Sequence, residues 1–580
     1  MKKLSLQGVM CAVTIVLALM LGGCGSSGSS TSSDSNPSGV AKASVDVTDA
    51  SSADYAHVYV TVTGVAFHLS DKAGFSNYSS AKVSGWQIAR LPAPMTVDLA
   101  QLTNGKTFSD FNSGNSLFSG ITLPIGSYGQ IRIFLSSTED ALAASAIALG
   151  LTYNNEVQLV GDTNHYPLRI PTPVEGIRLI PDSPMVVTGS SNVKLVLDFN
   201  LNNDVVEVSP DNATEFILKP RLGYFDMSSV GAVSGTVTSA TFDNISSNRV
   251  VVKAQQVKAD TNYRITRRLT SPDKNTGAFT LYPLPIFGNA TTATYDILIS
   301  GRHLDTAIIK GVKVHKGSTP ATGGTTLGSI AMLSSPEFTA QASFAISPTG
   351  SWINFYQTIA GDINLYEVRY RHLDPYTGKF FSTDPEPLAT GPVQVATYAA
   401  GQPITFAADS GTPGVYTAVA EVEGLYSRGA ALTNVTGAAN ANVLMNFEGK
   451  LPIVAAPATP QVITTIFDMS FFGTGKGHGM GESGSPLANY PSRGQVFVTQ
   501  GGMIIDSQGS LTGDTNLPTV MFAGGGNTHP TTLISTFPGG VDGTIYGLYA
   551  LGWGNGVLAE GSIVGGNLID GNVTATIKMK

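Results

Sequence analysis

The sequence predicts a mainly β protein, an all-β chain of tandem β-sandwich modules behind an export leader and a flexible tether. Three observations predict it. Apolar residues recur at every second position in short runs, the spacing that buries one face of a strand. Glycine (65) and proline (31) break those runs with turns. Charged residues are 13% of the 580-residue chain against 42% hydrophobic, about half the charged share of an ordinary soluble protein but ample for apolar cores. With 33 Lys and Arg against 41 Asp and Glu the net charge is −8. No global positive field attracts polyanions, so no nucleic-acid partner is expected. At about 100–200 residues per domain, the length implies about three to five domains.

Residues 1–23 read as a secretory signal. Lys2 and Lys3 precede an apolar run from Val9 to Leu21 interrupted by Thr14, and small residues follow at the cut. The run is too short, and its flanks are wrong, for a transmembrane helix. Leu21-Gly22-Gly23-Cys24 resembles the lipobox of bacterial lipoproteins. That resemblance implies acylation of Cys24 as the first mature residue, and a membrane partnership through the lipid. Gly25 stands where an Asp favours inner-membrane retention in enterobacterial lipoproteins, so the resemblance implies the outer membrane, with the periplasmic or surface-exposed face left open. Cys11 is the other cysteine, so the chain beyond Cys24 forms no internal disulfide. Residues 24–42 read as a Ser/Gly tether, since residues 25–39 (GSSGSSTSSDSNPSG) carry almost no apolar side chain to offset the entropy of ordering. Its root-mean-square span is about 20 Å.

From residue 43 the alternation begins. In residues 55–65 (YAHVYVTVTGV), Val58, Val60 and Val62 share one face and Tyr59, Thr61 and Thr63 the other, a half-buried strand with Gly64 at its bend. Residues 130–136 (QIRIFLS) and 193–201 (VKLVLDFNL) repeat the pattern, residues 139–151 predict a short helix, and turns fall at 123–126 (LPIG) and 181–184 (PDSP). The order VDVTDA (45–50), DYAHVYVTVTGVAFH (54–68), VDLAQLTNG (97–105), LPIGSYGQIRIFLSS (123–137), KLVLDFNL (194–201) and FILKPRL (216–222) resembles the bacterial lipoprotein domain-of-unknown-function family 4382, over residues 43–227. The chain departs from it at Ser51, where the family usually has Pro after Asp-Ala. The family carries no established reaction, so the resemblance implies a boundary and export.

Residues 229–334 form a second unit of turn-spaced strands: 231–237 (GAVSGTV), 250–254 (VVVKA), 277–285 (GAFTLYPLP), 295–300 (YDILIS) and 327–330 (LGSI). The phrase order is similar to carboxypeptidase-regulatory-like, transthyretin-like β-sandwich modules, which are spacers without catalytic residues. Residues 335–455 continue in alternating strands at 366–371 (YEVRYR) and 415–422 (VYTAVAEV). Residues 369–385 (RYRHLDPYTGKFFSTDP) resemble the closing motif of Rhs-type repeat proteins, in which aspartates at the positions of Asp374 and Asp384 support self-cleavage. Lys379 replaces the usual Arg and no Tyr-Asp repeats precede it, so Asp-Pro-x-x-Gly is read as a hairpin turn. After a Pro-rich linker, residues 456–580 form a Gly-rich β domain with strands at 495–499 (QVFVT) and 573–578 (VTATIK). Its loop 473–484 (GTGKGHGMGESG) has glycines for an anion, but Gly477 follows Lys476 where a P-loop needs Ser or Thr, so a surface loop is expected.

No catalytic, cofactor or metal residue emerges. The eight histidines (57, 68, 165, 303, 315, 372, 478, 529) form no His-Glu-x-x-His pair. His57 and His68, eleven apart, point to opposite sheet faces unless a bulge intervenes. Residues 198–204 (DFNLNND) carry oxygens at alternate positions, but Asn203 and Ser209 stand where an EF-hand needs Gly and Glu, so a strand-end turn is expected. No Gly-x-Ser-x-Gly elbow occurs. Trp86, Trp352 and Trp553 are read as partly buried core rather than sugar platforms. The functional expectation is a non-enzymatic, outer-membrane-anchored lipoprotein with a binding, adhesive or envelope-structural role, taking an envelope polymer, polysaccharide or protein as ligand. An exported hydrolase acting on envelope or extracellular polymer is the alternative.

Overall fold

The protein is described by a computed structural model over residues 39–422, apart from 51, 53, 71–84, 172, 174–175, 180, 182–183, 190–191, 209–213, 219–221, 239–247, 259–262, 345–350, 373–378 and 381–385. Beyond 429 the strand backbones Ala430–Val435, Ala441–Met445, Gln461–Asp468, Arg493–Gln500, Met503–Gln508, Thr528–Phe537, Ile545–Gly554, Val557–Asn567 and Val573–Lys578 are described. Cys24, the leader, most of the tether, Asp374, Asp384 and the loop 473–484 lie outside these residues. The chain is mainly β and folds as tandem sandwiches.

The N-terminal module packs two sheets. One runs Gly223–Asp226, Asn192–Asn200, Val40–Ala50, Phe118–Pro124. The other is centred on Tyr55–His68, which pairs with Gln130–Leu135 and Glu156–Leu159 on one side and with Gln87–Asp98 on the other. Val45, Val47, Val58, Val60, Val62, Leu195 and Leu197 meet between them with no exposed surface. At Gly64 the register shifts against both neighbours, a β-bulge at the expected bend. The strand Gln130–Leu135 is buried along its whole length rather than on alternate residues. The expected helix is present at Ala144–Ala148; Phe108–Phe111 and Leu201–Asp204, four residues each, were too short to print a helical period. The first helix covers a sheet edge. Ser145 Oγ accepts from the Thr96 amide (3.0 Å) and donates to the Pro94 carbonyl (3.0 Å), standing in for a further strand beside Gln87–Asp98.

The second module sets the three strands Ala278–Pro285, Val230–Thr238 and Thr325–Ala331 against a six-stranded sheet: Arg264–Thr270, Val251–Val257, Thr292–Ser300, Ala307–His315, Gln394–Thr397, Ala407–Ala408. The last two strands lie beyond residue 334, so this sheet draws on both the 229–334 and the 335–455 sequence units. Both its faces are covered. Ile297 and Ile309, paired across strands, face the core around Val233 and Leu281; the adjacent pair Leu298 and Ile308 faces a separate core with Phe338, Phe355, Tyr366 and Tyr416.

That second core belongs to the third module. One of its sheets runs Lys379–Phe380, Glu337–Phe344, Glu386–Ala389, with Ala441–Met445 parallel to the middle strand; the other runs Tyr366–His372, Ser351–Gln357, Tyr416–Val422, Ala430–Val435. The strands on either side of residues 373–378, Tyr366–His372 and Lys379–Phe380, lie in different sheets, and the Asp-Pro-x-x-Gly turn itself lies outside the described residues. The Gly-rich domain forms two further sheets, Thr528–Phe537, Gln461–Asp468, Val573–Lys578 and Met503–Gln508, Arg493–Gln500, Ile545–Gly554, Val557–Asn567.

Candidate functional site

The bulge at Gly64 has a chemical consequence. Val58, Val60 and Val62 point into the core before it and Val65 and Phe67 after it, so the parity of the strand flips. His57 and His68 therefore share the outer face. They lie at opposite ends of a strand about 3.3 Å per residue in rise, too far apart to act together. His68 packs on the buried Trp86 (4.9 Å), which also carries Arg132 over its ring (5.4 Å), in line with a core role for that tryptophan. The side chains of Trp352 and Trp553 lie outside the described residues.

Around His57 the sheet register assembles titratable groups from three strands and from His165, just before a fourth. Tyr59 is paired with Asp98 on one side and Glu156 on the other. His57 Nδ1 lies 2.6 Å from Asp98 Oδ2, and Asp98 Oδ1 accepts from the Val58 amide at 3.1 Å. The His57 ring stacks on Tyr59, centroids 5.5 Å apart and planes at 11°. On the far side His165 Nδ1 lies 2.5 Å from Glu156 Oε1, while Glu156 Oε2 accepts from the amides of Thr152 (2.9 Å) and Tyr153 (3.1 Å). Glu156 is buried beneath His165, whose side chain is 39% exposed; His57 is 36% exposed. An ionised carboxylate only accepts, so each Nδ1 donates to its carboxylate.

Burial, with the nearby Asp98 and Glu156 charges, pushes the Tyr59 phenol up to about 12, so it stays a neutral donor at neutral pH. Burial also raises Asp98, against the His57 and Val58 hydrogen bonds that hold it down. Among the described residues neither imidazole meets a serine, threonine or cysteine, which a nucleophilic triad would require. The array is a fixed polar surface of two partly exposed imidazoles and a phenol. Sequence reasoning missed it: His57, Asp98, Glu156 and His165 are joined only by strand register, and the Gly64 bulge was its one visible trace.

Arg169, paired with Glu139 and Glu215, is buried within the first module, and other buried charges lie in seams between modules. Arg268, on a second-module strand, donates to Asp198 and to the Asp49 carbonyl (2.8 Å) and Thr48 Oγ1 (3.1 Å) of the first module, and to the Tyr282 carbonyl (3.1 Å). Asp198 is the first residue of the segment tested for calcium above, and the Arg268 ion pair engages it. Its last residue, Asp204, accepts from the Asn200 amide at 2.9 Å, a local turn contact. Between the second and third modules, Lys253 donates to Glu367 (3.0 Å), and the Gln255 side-chain amide pairs with both the carbonyl (2.6 Å) and the amide (3.2 Å) of Glu367 as a strand would. Arg264 joins Asp296 (3.1 Å), Asp362 (2.9 Å) and the Asn364 carbonyl (2.6 Å), lying 3.7 Å over the Tyr366 ring.

Among the described residues no helix is long and apolar enough to cross a membrane, and no three His, Cys, Asp or Glu side chains converge as a metal cage. No curated protein matches the chain. Among solved structures it is similar to the Bacillus anthracis TIE protein, at 10% identity over 91% of this chain and 69% of that one with a TM-score of 0.14. It is also similar to the pilus adhesin SpaC from Lactobacillus rhamnosus GG in its open conformation, at 11% identity over 90% and 56% with a TM-score of 0.12. Likenesses this loose carry no argument. Residues 40–220, the first module, match the family described as Domain of unknown function (DUF4382).

Proposed function

We propose that the protein is an outer-membrane lipoprotein, anchored through acylated Cys24, whose β modules bind an envelope polymer, a polysaccharide or a protein without covalent chemistry. The supporting observation is the outer-face array of His57, Tyr59, Asp98, Glu156 and His165, polar and fixed on a sheet, with both imidazoles partly exposed and no held nucleophile among the described residues. The buried ionic seams support a scaffold role for the modules behind it, and residues 229–334 are read as the carboxypeptidase-regulatory-like spacer. The experiment combines fractionation of cells carrying wild type or Cys24→Ala with protease shaving of intact cells and a binding screen on the purified chain. Membrane residence that depends on Cys24, and binding weakened about tenfold or more by His57→Ala with His165→Ala, are the expected results, since two lost hydrogen bonds of about 1 kcal/mol each correspond to that change. Cys24→Ala protein that stays fully membrane-bound overturns the anchor. Ligand binding indifferent to both histidines overturns the array.

A further inference from the structure

The first module begins at Gly39, and the residues around that entry point are apolar and exposed. Val40 is 57%, Leu69 51% and Val186 65% exposed, with the half-buried Ile125 between them. Sheet pairing and close contacts bring the four together. Val40 pairs with Pro124, the Ile125 amide donates to the Gly39 carbonyl (3.1 Å), and Val187 pairs with Gly126. Side-chain atoms of Leu69 and Ile125 lie so close to Gly126, Gly39 and Gly189 that a Cβ there would collide with them, at 2.8, 2.4 and 2.8 Å. At Ile125 the chain steps from the strand Phe118–Pro124 to Gly126–Tyr128 in a different sheet, which turns these side chains out of both cores at one end of the sandwich.

We propose that this tip rests on the lipid bilayer. The inference deepens the anchored-lipoprotein reading and rests on it. Residues 25–38 separate Cys24 from Gly39, and a Gly/Ser linker of that length spans about 20 Å. The tip is thus the part of the folded chain nearest to the acyl chains along the sequence, and the tether supplies the local concentration at which a few exposed apolar side chains hold a surface. Tip contact also fixes which end of the first module faces away from the membrane.

The test uses the full acylated chain in vesicles of phosphatidylethanolamine and phosphatidylglycerol doped with nitroxide-labelled lipid. An environment-sensitive fluorophore is placed by Val186→Cys or Leu69→Cys, and by Ile363→Cys in the third module as the reference, since Ile363 is 82% exposed. A side chain seated about 5–10 Å into the interface is quenched several-fold more than one in water, so labels at 186 and 69 are expected to be quenched several-fold more than the label at 363. Equal quenching at all three sites, with the chain floating alongside the vesicles, overturns the tip contact and leaves the anchor standing. A chain that does not float overturns both. Protection of 186 that needs no lipid and grows with protein concentration assigns the tip to a second copy instead and overturns the bilayer contact.

Discussion

Asp362 and Asp49 are both shielded from water, and their surroundings push them in opposite directions. Burial would raise Asp362, but the Asn364 amide, Arg264 and Lys310 together hold it well below the usual carboxylate range. Its folded value lies below its unfolded one, so its contribution is present above the ordinary carboxylate value of about 3.9 and is lost as the pH falls through the lower folded value. Asp362→Asn leaves Arg264 and Lys310 with one counter-charge fewer and is expected to cost about 3 kcal/mol in urea unfolding at pH 7. Asp49 is raised by burial first and by Asp198 and Asp204 next, against the Leu201 amide and Arg268, and its Oδ2 is buried without a hydrogen-bond partner among the described residues. The folded state holds that proton more tightly than the unfolded chain. Wild-type stability therefore rises as the pH falls from the raised folded value toward about 3.9, and the gain levels off below. Asp49→Asn is expected to leave stability at pH 7 unchanged or higher and to flatten that acid-side rise; a loss of several kcal/mol at pH 7 contradicts the account.

At the scale of elements, what was legible followed from local pattern. The alternation of Val58, Val60 and Val62 specified the strand Tyr55–His68, and Gly64 marked its bulge. The parity flip that the bulge causes was not legible, because a glycine shows where a strand bends but not whether an extra residue is inserted. The polar contents of the seams were not legible either. Lys253 and Glu367 lie 114 residues apart, and each in isolation reads as an ordinary exposed charge on a strand. In the fold, burial pushes Lys253 down while Glu367 holds it up, so the pair is retained by mutual compensation. Lys253→Met strands a carboxylate in the seam and is expected to destabilise by about 3–5 kcal/mol, whereas Lys253→Met with Glu367→Leu recovers most of that loss. A double variant no more stable than the single one shows that the seam depends on Gln255 and the backbone of Glu367, not on the ion pair.

At the scale of the whole chain, the mainly β make-up in tandem modules was legible in the strand-and-turn pattern, and the contacts that join the modules were not. Arg268 is 2% exposed and binds four acceptors, three of them across the first seam on Thr48, Asp49 and Asp198. Arg268→Leu leaves Asp198 without its cation and is expected to cost about 3–5 kcal/mol and to split one calorimetric unfolding transition into an earlier one for residues 40–226 and a later one for the remainder. A single transition shifted as a whole shows that apolar contact around Val196, Phe225 and Val230 carries the seam by itself. The sheet covered on both faces has a different kind of consequence. Leu298 and Ile308 need the third module as much as Ile297 and Ile309 need the second, so neither half keeps a dry face when the other is removed. In evolutionary terms, a gene rearrangement that copies, deletes or transplants this region must carry the stretch from about 229 to 445 as a block, and a point of exchange that leaves both products foldable lies at the first seam.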